Sequence, residues 1–213
     1  MKFSVLGSGM VGQTIAAKLA ELKHEVQLGT RSPEKLHEWA AAHPGLSVGS
    51  LSASAAFGEV VFNAMRGAGS LESLQAAGAA NLNGKILIDI SNPLDFAGGM
   101  PPSLFVSNTD SLGEQIQRAF PEVKVVKTLN TLSAPLMVNP RMLADGDHTL
   151  FVSGNDAEAK AQVTQLLTDL FGWRDIMDVG DITTARGTEA LLALWTRLFI
   201  KRGDPNFQFK VVR

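Results

Sequence analysis

Cysteine is absent from the 213-residue sequence, which excludes disulfides, thiol nucleophiles and cysteine-ligated metal sites. Histidine is scarce, with four in all. His24, His37 and His43 fall on helix ends or a loop of the first half, and His148, beside Asp145 and Asp147, reads as part of a polar turn before a strand. None is nominated as acid, base or metal ligand. Neither sign of charge is in excess: 19 basic against 21 acidic residues leave a net −2, so neither nucleic acid nor an anionic membrane is an expected partner. The most apolar late stretch, residues 190–200, is too short to span a bilayer and carries Arg197. The N-terminus has no charged n-region, apolar h-region or cleavage site. The expectation is a soluble, cytoplasmic protein. A composition 45% hydrophobic and 19% charged suits a packed core, and the length suits one large domain or one with a small appendage.

Residues 2–34 organise the rest. A short apolar run at 2–6 leads directly into Gly7-Ser8-Gly9-Met10-Val11-Gly12. Val11, Ile15, Leu19 and Leu22 then recur at helical spacing, and 26–29 reads as a second strand. This is β-turn-α-β with G-x-G-x-x-G at the first turn, the context that makes the motif a dinucleotide-binding signal. Gly7 allows the tight exit from the strand, Gly9 lets backbone approach a pyrophosphate, and Gly12 lets the helix pack on the sheet. The helix start offers free N–H groups and its positive dipole end to phosphate.

The end of the second strand selects the nucleotide. NAD-binding folds usually carry an acid there, about 20 residues past the glycines, for the ribose 2′-hydroxyl. Here the place is taken by Gly29-Thr30-Arg31-Ser32, with no acid before Glu34. A guanidinium fork and two hydroxyls suit a 2′-phosphate that a carboxylate would repel, and Lys35 adds charge one turn on. The expected cofactor is NADP(H). Ser32 is also placed to cap a helix with Pro33 at its first position.

Alternation of strand and helix continues. Strands are expected at 46–48, 60–65, 85–90 and 123–128, with helices at 33–42, 52–57, 70–80 and 112–119. After Pro140 come a strand at 149–153, a helix at 156–170, a strand at 175–179, a long apolar helix at 183–200 and a possible edge strand at 207–212. Right-handed crossovers assemble these into an α/β, Rossmann-type, doubly wound and mainly parallel sheet. The division expected is an NADP-binding domain over 1–140 and a small C-terminal α/β extension over 141–213 on the same sheet.

Ligands on such sheets lie at the carboxyl ends of the strands. Three loops are therefore expected to face the cofactor. Asn63-Ala64-Met65-Arg66-Gly67 has small residues that let a cofactor pass and an arginine for a phosphate or anionic substrate. Ser91-Asn92-Pro93-Leu94 is extended at Asn92 because proline follows. The third runs over Thr128-Leu129-Asn130-Thr131-Leu132-Ser133-Ala134-Pro135. Trp173, Trp195, Phe199 and Phe207 are expected to pack in the core or a dimer interface, with a platform for a flat ring as the alternative.

The glycine loop, Gly29–Ser32, Asp89-Ile90-Ser91-Asn92-Pro93 and Asn130-Thr131-Leu132-Ser133-Ala134, in this order and spacing, resemble the NADPH-dependent reductases of the deazaflavin coenzyme F420. The segment around 130–134 is also similar to the cytoplasmic nucleotide domains of transmembrane metalloreductases. Asp178-Val179-Gly180, Ala185-Arg186 and Glu189 extend the likeness toward the C-terminus. The loop 63–67 departs from the deazaflavin reductases in lacking a proline and an aromatic residue. The resemblance implies a single Rossmann domain with a small extension, often dimeric, with a second redox partner stacked on the nicotinamide. It implies that Ser8, Met10 and Val11 line the pyrophosphate and that Thr30, Arg31 and Ser32 hold the 2′-phosphate. Ala64, Met65 and Asn92 would flank the nicotinamide ribose, and Asn130 to Ala134 would wall the transfer site.

The expected reaction is hydride transfer between NADPH and a small-molecule acceptor of deazaflavin or flavin type, F420 or FMN/FAD. The chemistry belongs to the cofactors and no catalytic residue is nominated. Three other functions are carried alongside: a reductase of a small imine or hydroxy acid, an NADPH-sensing binding protein without turnover, and a subunit passing electrons to a ferric chelate or partner.

Overall fold

The computed structural model of the chain describes residues 1–212. Apolar runs form β1 (Lys2–Leu6), β2 (Glu25–Gly29) and β3 (Leu46–Gly49), with α1 (Met10–Glu21) and α2 (His37–Ala41) between them. Then follow α3 (Leu51–Phe57), β4 (Val60–Asn63), α4 (Ser70–Ala77), α5 (Ala79–Leu82) and β5 (Ile86–Asp89). A small hairpin, β6 (Leu94–Asp95) and β7 (Ser103–Leu104), precedes α6 (Leu112–Ala119), β8 (Lys124–Lys127) and α7 (Ala134–Val138). The chain closes with β9 (Leu150–Ser153), α8 (Ala157–Phe171), β10 (Ile176–Gly180) and α9 (Ala185–Arg202).

Eight strands form one sheet in the order β10-β9-β8-β5-β4-β1-β2-β3. The strands from β3 across to β8 are parallel. β9 joins β8 antiparallel through Lys127 and Ser153, and β10 runs parallel to β9. The fold is therefore the expected α/β, Rossmann-type, mainly parallel sheet. β4 and β5 are buried at every position, because each face of the sheet has its own apolar layer. One layer is built on Ile15, Leu19, Leu136, Val163 and Trp173. The other is built on Leu51, Leu74, Leu112 and Ile116. β1 pairs with both β2 and β4, so the strand order reverses there and a crevice opens above their carboxyl ends.

Several expected elements differ. The helix over 70–80 breaks at Gly78, whose φ of +89° ends α4 and starts α5. The strand over 60–65 stops at Asn63, whose side-chain oxygen receives the Met65 N–H at 3.4 Å and turns the chain. Ser32 makes no side-chain cap, and the segment after it starts as a 3-10 turn, Pro33–Leu36. Residues 207–212 form no regular strand: Thr149 N–H donates to the Phe209 carbonyl, but Val211 and Phe209 spend their amides on side-chain oxygens. His148 does sit in the turn before β9, but its ring is buried, 3.0 Å from the Pro140 carbonyl and edge-on to Trp173. Among the described residues no helix is long and apolar enough to cross a membrane.

Candidate functional site

The three motif glycines do different work. Gly7 has φ +116°, and a Cβ on it would stand 2.6 Å from the Ala64 carbonyl oxygen. At Gly12 a Cβ would sit 1.8 Å from the Gly7 carbonyl oxygen, so α1 closes on its own entry turn. A Cβ on Gly9 would meet no protein atom within 4 Å. The space over Gly9 is thus open, and α1 begins there with no side chain capping its first amides. Free N–H groups and an open approach are what a phosphate needs.

On one side of Gly9 lies a compartment of about 470 Å³ lined by Gly7, Ser8, Gly29, Thr30, Arg31 and the start of α4. Ser8 Oγ and Thr30 Oγ1 are 3.0 Å apart, and Thr30 Oγ1 also receives the Ser32 N–H at 3.3 Å. Arg31 is exposed at this end and pairs with no carboxylate among the described residues. Glu72 shares the compartment. Ser32 and Lys35 do not line it; Lys35 is exposed on the turn beyond.

On the other side is a chamber of about 520 Å³, bounded by Met10, Val11, Met65, Phe96, Leu132, Leu192 and Trp195 with Asn92 and Asn130. Gly9, Ala64, Met65, Arg66 and Ala68 line both spaces, so the two are halves of one cleft with the glycine turn at its waist. The loops after β4 and β5 touch: a Cβ on Gly67 would lie 1.9 Å from the Asn92 carbonyl oxygen. The Arg66 guanidinium stands 5.9 Å from the Phe96 ring centre. Leu129 is buried with φ +60°, a costly conformation for leucine that turns the chain into Asn130. Asn130 and Asn92 then bond reciprocally, Asn92 Nδ2 to the Asn130 carbonyl at 2.8 Å and Asn130 Nδ2 to Asn92 Oδ1 at 3.0 Å.

Of the expected site residues, Pro93, Ser133 and Ala134 are buried and do not line the chamber, and Gly12 lies beneath the turn. Trp173 belongs to the core and donates its indole N–H to the Met137 carbonyl. Trp195 instead borders the chamber, stacked between Phe199 at 5.7 Å and Phe207 at 5.2 Å.

One constellation escaped sequence reasoning. Beneath the loops, the buried Lys127 Nζ lies 2.8 Å from Asp89 and 2.8 Å from Glu189, and also donates to the Ser91 carbonyl. Asp89 accepts from Asn63 Nδ2 at 2.8 Å and from Ser91 Oγ at 2.7 Å. Burial pushes the Lys127 ammonium down, but the charges of Asp89 and Glu189 outweigh it and hold its pKa above the ordinary lysine value. A partial signal was present: Asp89 ends β5 after three apolar residues and Lys127 ends β8 after two valines, and the structure makes the two register partners.

With this geometry in view, the likeness to known proteins is informative. The family described as NADP oxidoreductase, coenzyme F420-dependent, matches residues 2–93. The F420-dependent NADP reductase of Methanocaldococcus jannaschii is 30% identical, over 94% of this chain and 93% of that protein. The chain belongs to the F420-dependent NADP reductase family. A crystal structure from Arthrobacter sp. FB24, solved as a candidate F420-dependent NADP reductase, is 56% identical with a TM-score of 0.96 over the full length of both chains. The rat metalloreductase STEAP3 is 31% identical over 89% of this chain, which spans only 36% of that protein.

Proposed function

We propose that the protein is an NADP(H)-dependent oxidoreductase that transfers hydride between NADPH and a deazaflavin- or flavin-type acceptor. The observation that carries this reading is the two-part cleft, with a turn of free amides at its waist, a guanidinium with two hydroxyls at one end, and an apolar, aromatic chamber at the other. The residues fit the dinucleotide. The first amides of α1, over the open face of Gly9, receive the pyrophosphate. Arg31, with Thr30 and Ser8, receives the 2′-phosphate. Ala64, Met65 and the Asn92–Asn130 pair flank the nicotinamide end. Leu132, Leu192, Trp195 and Phe96 exclude water from the ring faces. When bound, NADPH supplies two electrons and one proton as a hydride, leaving NADP⁺, and the reduced acceptor takes its further proton from water. The chamber has no histidine; its titratable lining groups are Arg66 and Asp95, and the reading assigns neither a proton transfer. A homodimer and a cytoplasmic setting belong to the same proposal. Exposed Phe96, Phe105, Leu194 and Ile200 support an apolar contact between copies, which sedimentation tests.

The functional test is NADPH oxidation with F420, FMN, FAD and a ferric chelate in turn. Turnover with a deazaflavin or flavin is the expected result. Tight NADPH binding without oxidation by any acceptor would instead favour a sensing role.

A further inference from the structure

We propose that Glu189 is a positioning residue that sets the acceptor side of the cleft, by latching α9 through buried Lys127 to the loops after β5 and β8. The inference rests on the functional reading above and deepens it.

Glu189, Leu192 and Trp195 follow at three-residue intervals and share one face of α9. Two of them are wall: Leu192 and Trp195 border the 520 Å³ chamber. The third is the latch. Glu189 Oε1 lies 2.8 Å from Lys127 Nζ and accepts the Gly113 N–H at 2.9 Å, while Oε2 accepts the Leu112 N–H at 2.8 Å. The carbonyl of the adjacent Thr188 accepts from Asn130 Nδ2 at 3.2 Å. Lys127 in turn holds the Ser91 carbonyl and Asp89. The same helical face therefore presents the acceptor wall and grips the two loops that form the opposite wall.

Docking of α9 does not need this charge. Arg186 already ties the helix to α6 through Glu114, at 2.8 and 2.6 Å, and Ala185 and Ile182 pack against Gly113. A buried ion pair adds little stability over apolar residues of similar volume, and its best-attested use is to fix register. Here the register fixed is that of Trp195 and Leu192 against Ser91, Asn92 and Asn130. The adenosine end of the cleft meets this network only through Asn63, which donates to Asp89 and Ser70 and takes the Met65 N–H, on the far side of Lys127 from Glu189.

The test is Glu189→Gln, an isostere that removes the charge, with Arg186→Gln as the control that loosens α9 without touching the loops. Glu189→Asp keeps the charge but shortens the reach, and carries the same test should the Gln variant not accumulate folded. In Glu189→Gln the KM for FMN rises about tenfold, while the calorimetric Kd for NADPH, which keeps its Gly9 and Arg31 contacts and is touched only through the Asn92–Asn130 pair, rises about threefold or less. Amide exchange of ligand-free protein, read by mass spectrometry, is about tenfold faster in the peptide covering residues 90–95. Arg186→Gln produces neither change. Equal losses of NADPH and acceptor affinity, an Arg186→Gln protein that behaves the same, or unchanged exchange at 90–95 would overturn the latch. Failure of the wild-type protein to oxidise NADPH with any acceptor overturns the functional reading and the acceptor claim with it, while the exchange measurement still decides whether Glu189 holds the loop.

Discussion

A single carbon atom separates the roles of Gly9 and Gly12. Valine at Gly9 puts its Cβ where no protein atom lies within 4 Å, so Gly9→Val folds normally but loses nucleotide binding through steric exclusion. A thermal melt matching wild type, combined with no NADPH binding by calorimetry, is the expected pair of results. Alanine at Gly12 drives a Cβ to 1.8 Å from the Gly7 carbonyl oxygen, and Gly12→Ala lowers the melting temperature before binding is measured. Arg31 is exposed and free of carboxylate partners among the described residues, so Arg31→Ala costs the fold little. It weakens NADPH by about 1–3 kcal/mol, the worth of a charge-assisted contact, and leaves NADH nearly unmoved. Equal losses for the two cofactors in the same titration would remove the 2′-phosphate from this end.

Strands β5 and β8 each end in a buried charge, Asp89 and Lys127. Lys127→Met leaves Asp89 and Glu189 facing each other without a cation, and removing one partner of such a cluster typically costs about 3–5 kcal/mol. Denaturant unfolding reads that loss directly; a midpoint near wild type would show that the cluster is neutral or hydrated. The elements themselves were legible where local pattern decides them. The glycine turn, the two strands around it and the parallel core strands follow from apolar runs and spacing, and α6 spans the residues its helical spacing marks. α7 and the β6–β7 hairpin were not legible, since five residues after Ser133 and two-residue strands acquire order only from what they pack against. Residues 207–212 carry a strand-like composition, yet the side chains of Gln208 and Thr149 take the bonds a ladder would use. At the site, the loops after β1, β4 and β5 that line the cleft were readable from motif and position. The Lys127 cluster was not, and Trp195 was readable only as one alternative among four aromatics, because both depend on α9 folding back from a distant part of the chain.

The whole molecule responds to acid through its carboxylates. The Arg118 guanidinium hydrogen-bonded to Asp110 holds that carboxyl at about 2, and Arg186 holds Glu114 below its ordinary value. A depressed carboxylate contributes stability that is whole above its unfolded pKa and drains as pH falls through the folded one. Unfolding free energy is therefore expected to hold down to about pH 4 and to fall steadily from there toward about pH 2. A flat profile across that window would contradict the two ion pairs. Binding acts on the same global equilibrium: NADPH at about 100 times its Kd adds about 2.7 kcal/mol to the unfolding free energy. The measurement that tests the account most directly is a calorimetric titration of the purified protein with NADPH and, separately, with NADH. The account predicts a saturable one-site isotherm for NADPH and markedly weaker binding of NADH. An absence of heat with NADPH, or equal affinity for the two nucleotides, would contradict it.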